Sequence, residues 1–252
     1  MSENSATRLK RFGVSALVLL GDPFWVVFSF VFMSSVLFIG VVKNIPTLET
    51  FFSTSLGQLA TGVIIYALVL IMVVAPFLSR SGKLALAKVL GVLQKPRWDI
   101  LWLPIAFWAA YMFFSIIVSA IVSKLIPSID QMQSQDVGFS DISQPLEYIL
   151  AFVALVVLPP FFEELLFRGY LFGRLRSRFG FWVTTLMVSA TFGLVHGQWN
   201  VGIDVAVLSV FLCMLREKTG SVWYGMVVHA VKNGLAYFLL FIAPLLGIHL
   251  LQ

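Results

Sequence analysis

The chain has 252 residues, of which 60% are hydrophobic, 15% aromatic and only 12% charged, and its formal net charge is +5 at pH 7. Soluble domains carry about twice that charge, and apolar runs approaching about 20 residues exclude a soluble fold in favour of an all-α, polytopic transmembrane helical bundle. The basic excess is no nucleic-acid signal, because it gathers in short loops as the positive-inside rule produces, and the lone Cys213 rules out an intrachain disulfide.

The N-terminus is polar and basic at Arg8, Lys10 and Arg11, and the apolar run after it, Phe12 to Leu20, is too short to span. No small-residue cleavage site follows, so residues 1–23 are expected to be retained as a cytoplasmic or interfacial lead-in. About seven spans are predicted, within a range of six to eight: Phe24–Val42, Leu56–Leu78, Ile100–Val122, Leu146–Phe172, Phe181–Gln198, Val201–Leu215 and Val222–Ile248. The first three, within residues 24–145, carry no motif, whereas residues 146–252 hold every candidate for chemistry.

A cytoplasmic N-terminus puts thirteen Lys and Arg residues on that side, in the N-terminal segment and in the loops around 80–97, 174–178 and 216–218; only Lys43 and Lys124 fall outside. The loop from Ser79 to Asp99 contains an amphipathic stretch, Leu84–Leu93, suited to anionic lipid. The external connection Lys124–Gln144 carries Asp130, Asp136 and Asp141 among Gln and Ser, and mobility is expected of it. Gly193 and Gly197 form a small-xxx-small pair that points to close helix packing.

Against this apolar background stands Phe161-Phe162-Glu163-Glu164-Leu165-Leu166-Phe167-Arg168, directly after Pro159-Pro160. Each ionisable residue at the centre of a membrane helix costs roughly 2.5 to 3.5 kcal/mol, about 8 to 10 for the three, unless they pair, neutralise or face a wet cavity. Helical spacing lets Glu164 pair with Arg168, while Glu163, rotated by about 100°, stays free for proton work. Later spans add Phe192 with His196, and His229 with Asn233, each pair four apart. Counted from the basic ends, Glu163 lies at roughly 16 Å, His196 at about 22 Å, and His229 and Asn233 at about 12 and 18 Å. These heights permit one polar site beneath the cytoplasmic surface.

Glu-Glu-x-x-x-Arg, then Phe-x-x-x-His, then His-x-x-x-Asn, in this order on late spans, resembles the CPBP family of CAAX-processing and bacteriocin-processing (ABI) intramembrane endopeptidases, which includes type II CAAX prenyl proteases. The resemblance covers about Leu146 to Asn233. It implies that Glu163 is the general base activating water, that His196 helps hold that water, and that His229 and Asn233 stabilise the oxyanion. Glu164 and Arg168 would be an orienting pair, with Phe192 packed beside the site. A desolvated carboxylate makes a competent base, and donors aimed at an oxyanion gain most where water is excluded. No cofactor is expected. Zinc held by Glu163, His196 and His229 is the alternative, although no His-Glu-x-x-His pair is present. The partners implied are the lipid bilayer and a membrane-associated peptide or protein substrate, with no nucleic acid. The expected location is a prokaryotic cytoplasmic membrane, or the ER membrane in a eukaryote.

Plainer readings stand beside these. Glu164–Arg168 can be a helix-stabilising ion pair, and an isolated membrane histidine is commonly an interhelical hydrogen bond. Lys232 can snorkel, pair with Asp204 or attract a substrate carboxylate. Asp204 reads as a packing or water-binding polar residue, Cys213 as an inert packing residue, and His249, beyond the last span, has no role. From another functional class comes a catalytically silent membrane scaffold or transport-associated protein that keeps the polar cluster for assembly.

Overall fold

The computed structural model describes residues 21–41, 46–131, 133, 135, 137–139 and 142–248, and within these the regular structure is helical throughout. We number the helices α1 (Gly21–Ile39), α2 (Pro46–Ser53), α3 (Ser55–Leu90), α4 (Trp98–Leu125), α5 (Pro145–Arg176), α6 (Phe181–Leu194), α7 (Trp199–Thr219) and α8 (Trp223–Ile242). All but α2 and α6 are long and apolar enough to cross a membrane; with the shorter apolar α6 they make up the expected polytopic bundle of an integral membrane protein. The lead-in Phe12–Leu20, Asp136, Asp141 and His249 lie outside the described residues.

Local sequence explains where the helices begin and end. Thr54 caps α3, its hydroxyl accepting from the Gly57 N–H at 3.1 Å. Pro145 opens α5, and the Glu147 carboxylate reaches back to the N–H groups of Ser143 and Gln144 at 2.7 and 2.8 Å. Gly91 and Gly220 close α3 and α7 in the left-handed conformation that glycine adopts without strain. The α3 helix runs past the expected end at Leu78, because the chain bends at Gly82 (φ 78°, ψ 168°) and resumes its helix with the basic, amphipathic stretch.

Polar contacts at the two ends fix an alternating arrangement. At one end Asp22 pairs with Arg178 at 3.2 Å and Arg174 at 3.5 Å, and Arg176 pairs with Glu217 at 2.9 Å, so the predicted basic loops gather on one face. At the opposite end the Gln133 carbonyl accepts from Asn200 Nδ2 at 2.8 Å, and the Phe139 N–H donates to Gln58 Oε1 at 2.9 Å. Phe139 is buried against α5 and α8, so at this point the connection expected to be mobile is anchored.

The main core lies where α5 packs on α1, α3, α6 and α7, around Phe167, Leu171, Phe192 and Val205. The small-residue pairing differs from expectation. A Cβ on Gly193 would meet the Gly202 carbonyl oxygen at 2.6 Å, and one on Gly202 would meet that of Gly193 at 2.7 Å. The close approach is therefore between α6 and α7. Gly197 takes no part, because it sits in the turn after α6 with φ 68°.

Candidate active site

Helix α5 sets the site through two stretches of π-helix, Val153–Val157 and Glu164–Leu171. The proline pair between them has a specific consequence. The Leu155 carbonyl would find its helical partner at residue 159 in α register or 160 in π register, and both are prolines without an N–H. Asn233 of α8 supplies the missing donor, its Nδ2 lying 3.0 Å from the Leu155 oxygen. Pro159-Pro160 and Asn233 thus form one unit, with the second amide proton of Asn233 left over.

The two glutamates diverge as helix geometry requires. Glu164 is fully buried, and its Oε1 lies 3.0 Å from an Arg168 guanidinium nitrogen and 3.0 Å from His229 Nδ1. It therefore holds a histidine as well as the arginine. Its other oxygen, Oε2, packs on α8 where a side chain at Gly225 would reach within 2.6 Å of it, so the missing Cβ makes room for the carboxylate. Arg168 lies over the Phe192 ring at 4.3 Å from its centroid. Farther along, the π turn directs the Phe172 N–H to the Phe167 carbonyl, and Arg216 Nε donates to the Arg168 carbonyl at 3.2 Å.

Glu163 faces a cavity of about 330 Å³. Its Oε1 accepts a short hydrogen bond from the Tyr66 hydroxyl of α3, and its Oε2 lies 3.7 Å from His229 Nε2. His229 is thereby strung between the carboxylates, Nδ1 to Glu164 and Nε2 toward Glu163. His196, in the turn after α6, gives its Nδ1 proton to the Phe192 carbonyl at 2.7 Å, which leaves Nε2 with a lone pair. Phe192 is fully buried, with its ring edge-on to both His196 (4.9 Å) and His229 (5.8 Å).

The cavity wall includes Glu163, His196, His229 and Asn233 together, although they come from α5, the turn after α6 and α8. It also includes Gln135 and Val137 of the α4–α5 connection, so the cavity extends from mid-depth toward the end opposite the basic loops. Depth counted from the basic ends put these residues at comparable heights but did not show which end the cavity opens toward; α6 is only 14 residues long and His196 lies beyond its far end. Tyr66, Gly225 and Arg216 were missed as site residues. Tyr66 was legible in principle, since a phenol in the middle of a membrane span must find a polar partner. Of the readings open for Lys232, the pair with Asp204 is present at 3.7 Å, while Cys213 is fully buried in the core.

Among the described residues no three His, Cys, Asp or Glu side chains are grouped to hold an ion, and His229 already commits Nδ1 to Glu164.

Comparison with known proteins places this arrangement. Residues 145–235, which contain all three motifs, match the family model described as type II CAAX prenyl endopeptidase Rce1-like. The chain is also 29% identical over 132 residues to the UPF0177 protein YxdF of Lactococcus lactis, an alignment covering 50% of this chain and 72% of that one. No solved structure matches. Through the segment that carries the two glutamates, the two histidines and the asparagine, the chain is similar to the Rce1-like family of type II CAAX prenyl endopeptidases.

Proposed function

We propose that the protein hydrolyses a peptide bond of a membrane-associated substrate with a water activated by Glu163. The observation that carries this reading is the unequal use of the adjacent glutamates. Glu164 is fully buried, with its Oε1 held by Arg168 and His229, whereas Glu163 faces the cavity with His229 Nε2 and Tyr66 beside it.

In the proposed reaction, a water between Glu163 and His196 Nε2 gives its proton to Glu163 while its oxygen attacks the scissile carbonyl carbon. The carbonyl oxygen becomes an oxyanion, toward which Asn233 turns its second amide proton and His229 an Nε2–H, its Nδ1–H being given to Glu164. Collapse of the tetrahedral intermediate breaks the C–N bond, and Glu163 returns the proton to the leaving amine. The remaining groups position these. Glu164 fixes the His229 ring, Phe192 keeps the two imidazoles apart, and Leu155 holds the Asn233 amide. The reaction as written requires no metal. By the positive-inside argument the basic end is cytoplasmic, in a prokaryotic cell membrane.

The test compares peptide termini in membrane proteomes of cells expressing the protein or its Glu163→Gln variant at equal levels. Termini present only with the unaltered protein are expected. On a substrate found in this way, purified Glu163→Gln should be slower by about 10² to 10⁴-fold, the range of a lost general base, and a strong chelator should leave the unaltered rate unchanged. Identical termini from both proteins would instead favour a catalytically silent scaffold.

A further inference from the structure

A second group of charges borders the same cavity and has no part in the hydrolysis. Lys232 lies between His229 and Asn233 on α8 and contributes to the cavity wall, with its side chain only 22% exposed. Its ammonium pairs with Asp204 Oδ2 of α7 at 3.7 Å, beyond hydrogen-bond length. Asp204 is itself well supplied: Tyr111 of α4 donates to its carboxylate at 2.9 and 3.0 Å, and the Ser115 hydroxyl donates to Oδ1. An ammonium carries three donors, and among the described residues none of those of Lys232 is in a hydrogen bond. The same wall carries the apolar Val201, Val205, Ala236 and Leu240 beside the polar His229 and Asn233.

A half-buried cation in that setting is costly, and neither packing nor the hydrolytic step accounts for it. Asp204 tethers it without saturating it. Lys232 lines the same cavity as Glu163 and His196, the proposed reacting centre.

We infer that Lys232 is the recognition point for a carboxylate on the substrate, bound in the cavity a short distance from the scissile bond. Asp204, Tyr111 and Ser115 are positioning residues that keep the ammonium at the wall. The carboxylate has two possible sources, the free C-terminus of the peptide or an Asp or Glu side chain close to the cut. This rests on the cavity being a peptidase site, but its test does not depend on turnover.

Binding is measured to the detergent-solubilised Glu163→Gln protein, in which a probe stays uncut, by fluorescence anisotropy with membrane-anchored peptides. Three probes share one sequence: one ends in a free carboxylate, one in a C-terminal amide, and one in the amide with a glutamate near the end. The free-acid probe should bind about ten- to a hundredfold more tightly than the plain amide, the range of a charge-assisted hydrogen bond. Recovery of affinity in the glutamate probe would identify the side-chain source, and its failure to recover the C-terminal one. Adding Lys232→Met should erase the preference, and Lys232→Arg should retain most of it. Equal binding of all three probes would overturn the inference even if no Lys232 variant folds. So would a preference that survives Lys232→Met. Cleavage by the unaltered protein is scored separately, so failure of the hydrolytic reading is told apart from failure of this one.

Discussion

The first half of the chain and the second half meet the same lipid in different ways. In α1, α3 and α4 only 17, 17 and 11% of the most apolar window is buried, against 39% in both α5 and α7. The buried acidic, basic, histidine, serine and threonine side chains divide still more sharply. Among the described residues Ser29 alone lies before residue 145, while Glu163, Glu164, Arg168, four residues of α6, Ser209, Ser221 and His229 lie after it. Helices in lipid gain nothing by hiding apolar surface from lipid tails, so association comes from close packing and from polar groups. The second half has both, in the Gly193–Gly202 crossing and in the carboxylate–histidine–arginine cluster. The first half mostly supplies a wall, with Tyr66 as its single direct contribution to the Glu163 carboxylate.

The comparison can be broken most directly at Arg168. Its guanidinium is fully buried and compensates Glu164, so Arg168→Met leaves that carboxylate with only His229 at Oε1. Removing one partner of a buried pair costs about 3–5 kcal/mol, and a loss of that size is expected in reversible denaturant unfolding in micelles. Replacing both partners together, by Glu164→Gln and Arg168→Met, should cost less than the single change, because no uncompensated charge is left buried. A loss below about 1 kcal/mol for Arg168→Met would mean that the cluster does not hold the second half together.

How much of this could be read in the sequence depends on the distance over which each feature is encoded. The spans were legible because lipid imposes a long, uniform apolar run on each. The Glu164–Arg168 pair was legible too, being a neighbour relation within one helix. The second bond of Glu164, to His229, was not, since it joins residues 65 apart whose facing depends on how α5 and α8 are rotated. The same holds for Tyr66 and Glu163, which are 97 apart. Leu155 and Asn233 are intermediate. The proline pair announces an orphan carbonyl locally, but only the packed helices show which donor fills it. The extra length of α3 was hidden because Gly82 reads as a breaker, yet its positive φ bends the helix and lets it continue.

A smaller effect is expected at Gly225, which sharpens the comparison by separating packing from charge. A methyl group there would meet Glu164 Oε2 at 2.6 Å, and that carboxylate cannot retreat while Arg168 and His229 hold its other oxygen. Gly225→Ala should therefore cost about 1–3 kcal/mol, the usual penalty for overpacking. It should also lower hydrolysis of a substrate, by tilting the His229 ring. Gly62 of α3 is the matched control, because nothing lies within 4 Å of a Cβ built there. Gly62→Ala should be neutral or slightly stabilising, as a helical alanine is favoured over glycine.

The smallest effect is expected on the outer face of α4, where Ile105, Phe113 and Ile116 are 69, 61 and 68% exposed. In water such a row would be an association surface, but here the surrounding solvent is hydrocarbon. Ile116→Ala exchanges side-chain contact with lipid for backbone contact with lipid and opens no cavity, so unfolding stability should change by less than about 0.5 kcal/mol. The buried counterpart in the second half is Leu208, fully enclosed between α4 and α8, where Leu208→Ala should cost about 2–5 kcal/mol. If Ile116→Ala were to cost as much as Leu208→Ala, the outer face of α4 would be covered by another protein surface. The contrast between a lipid-facing first half and an internally packed second half would then hold for the isolated chain alone.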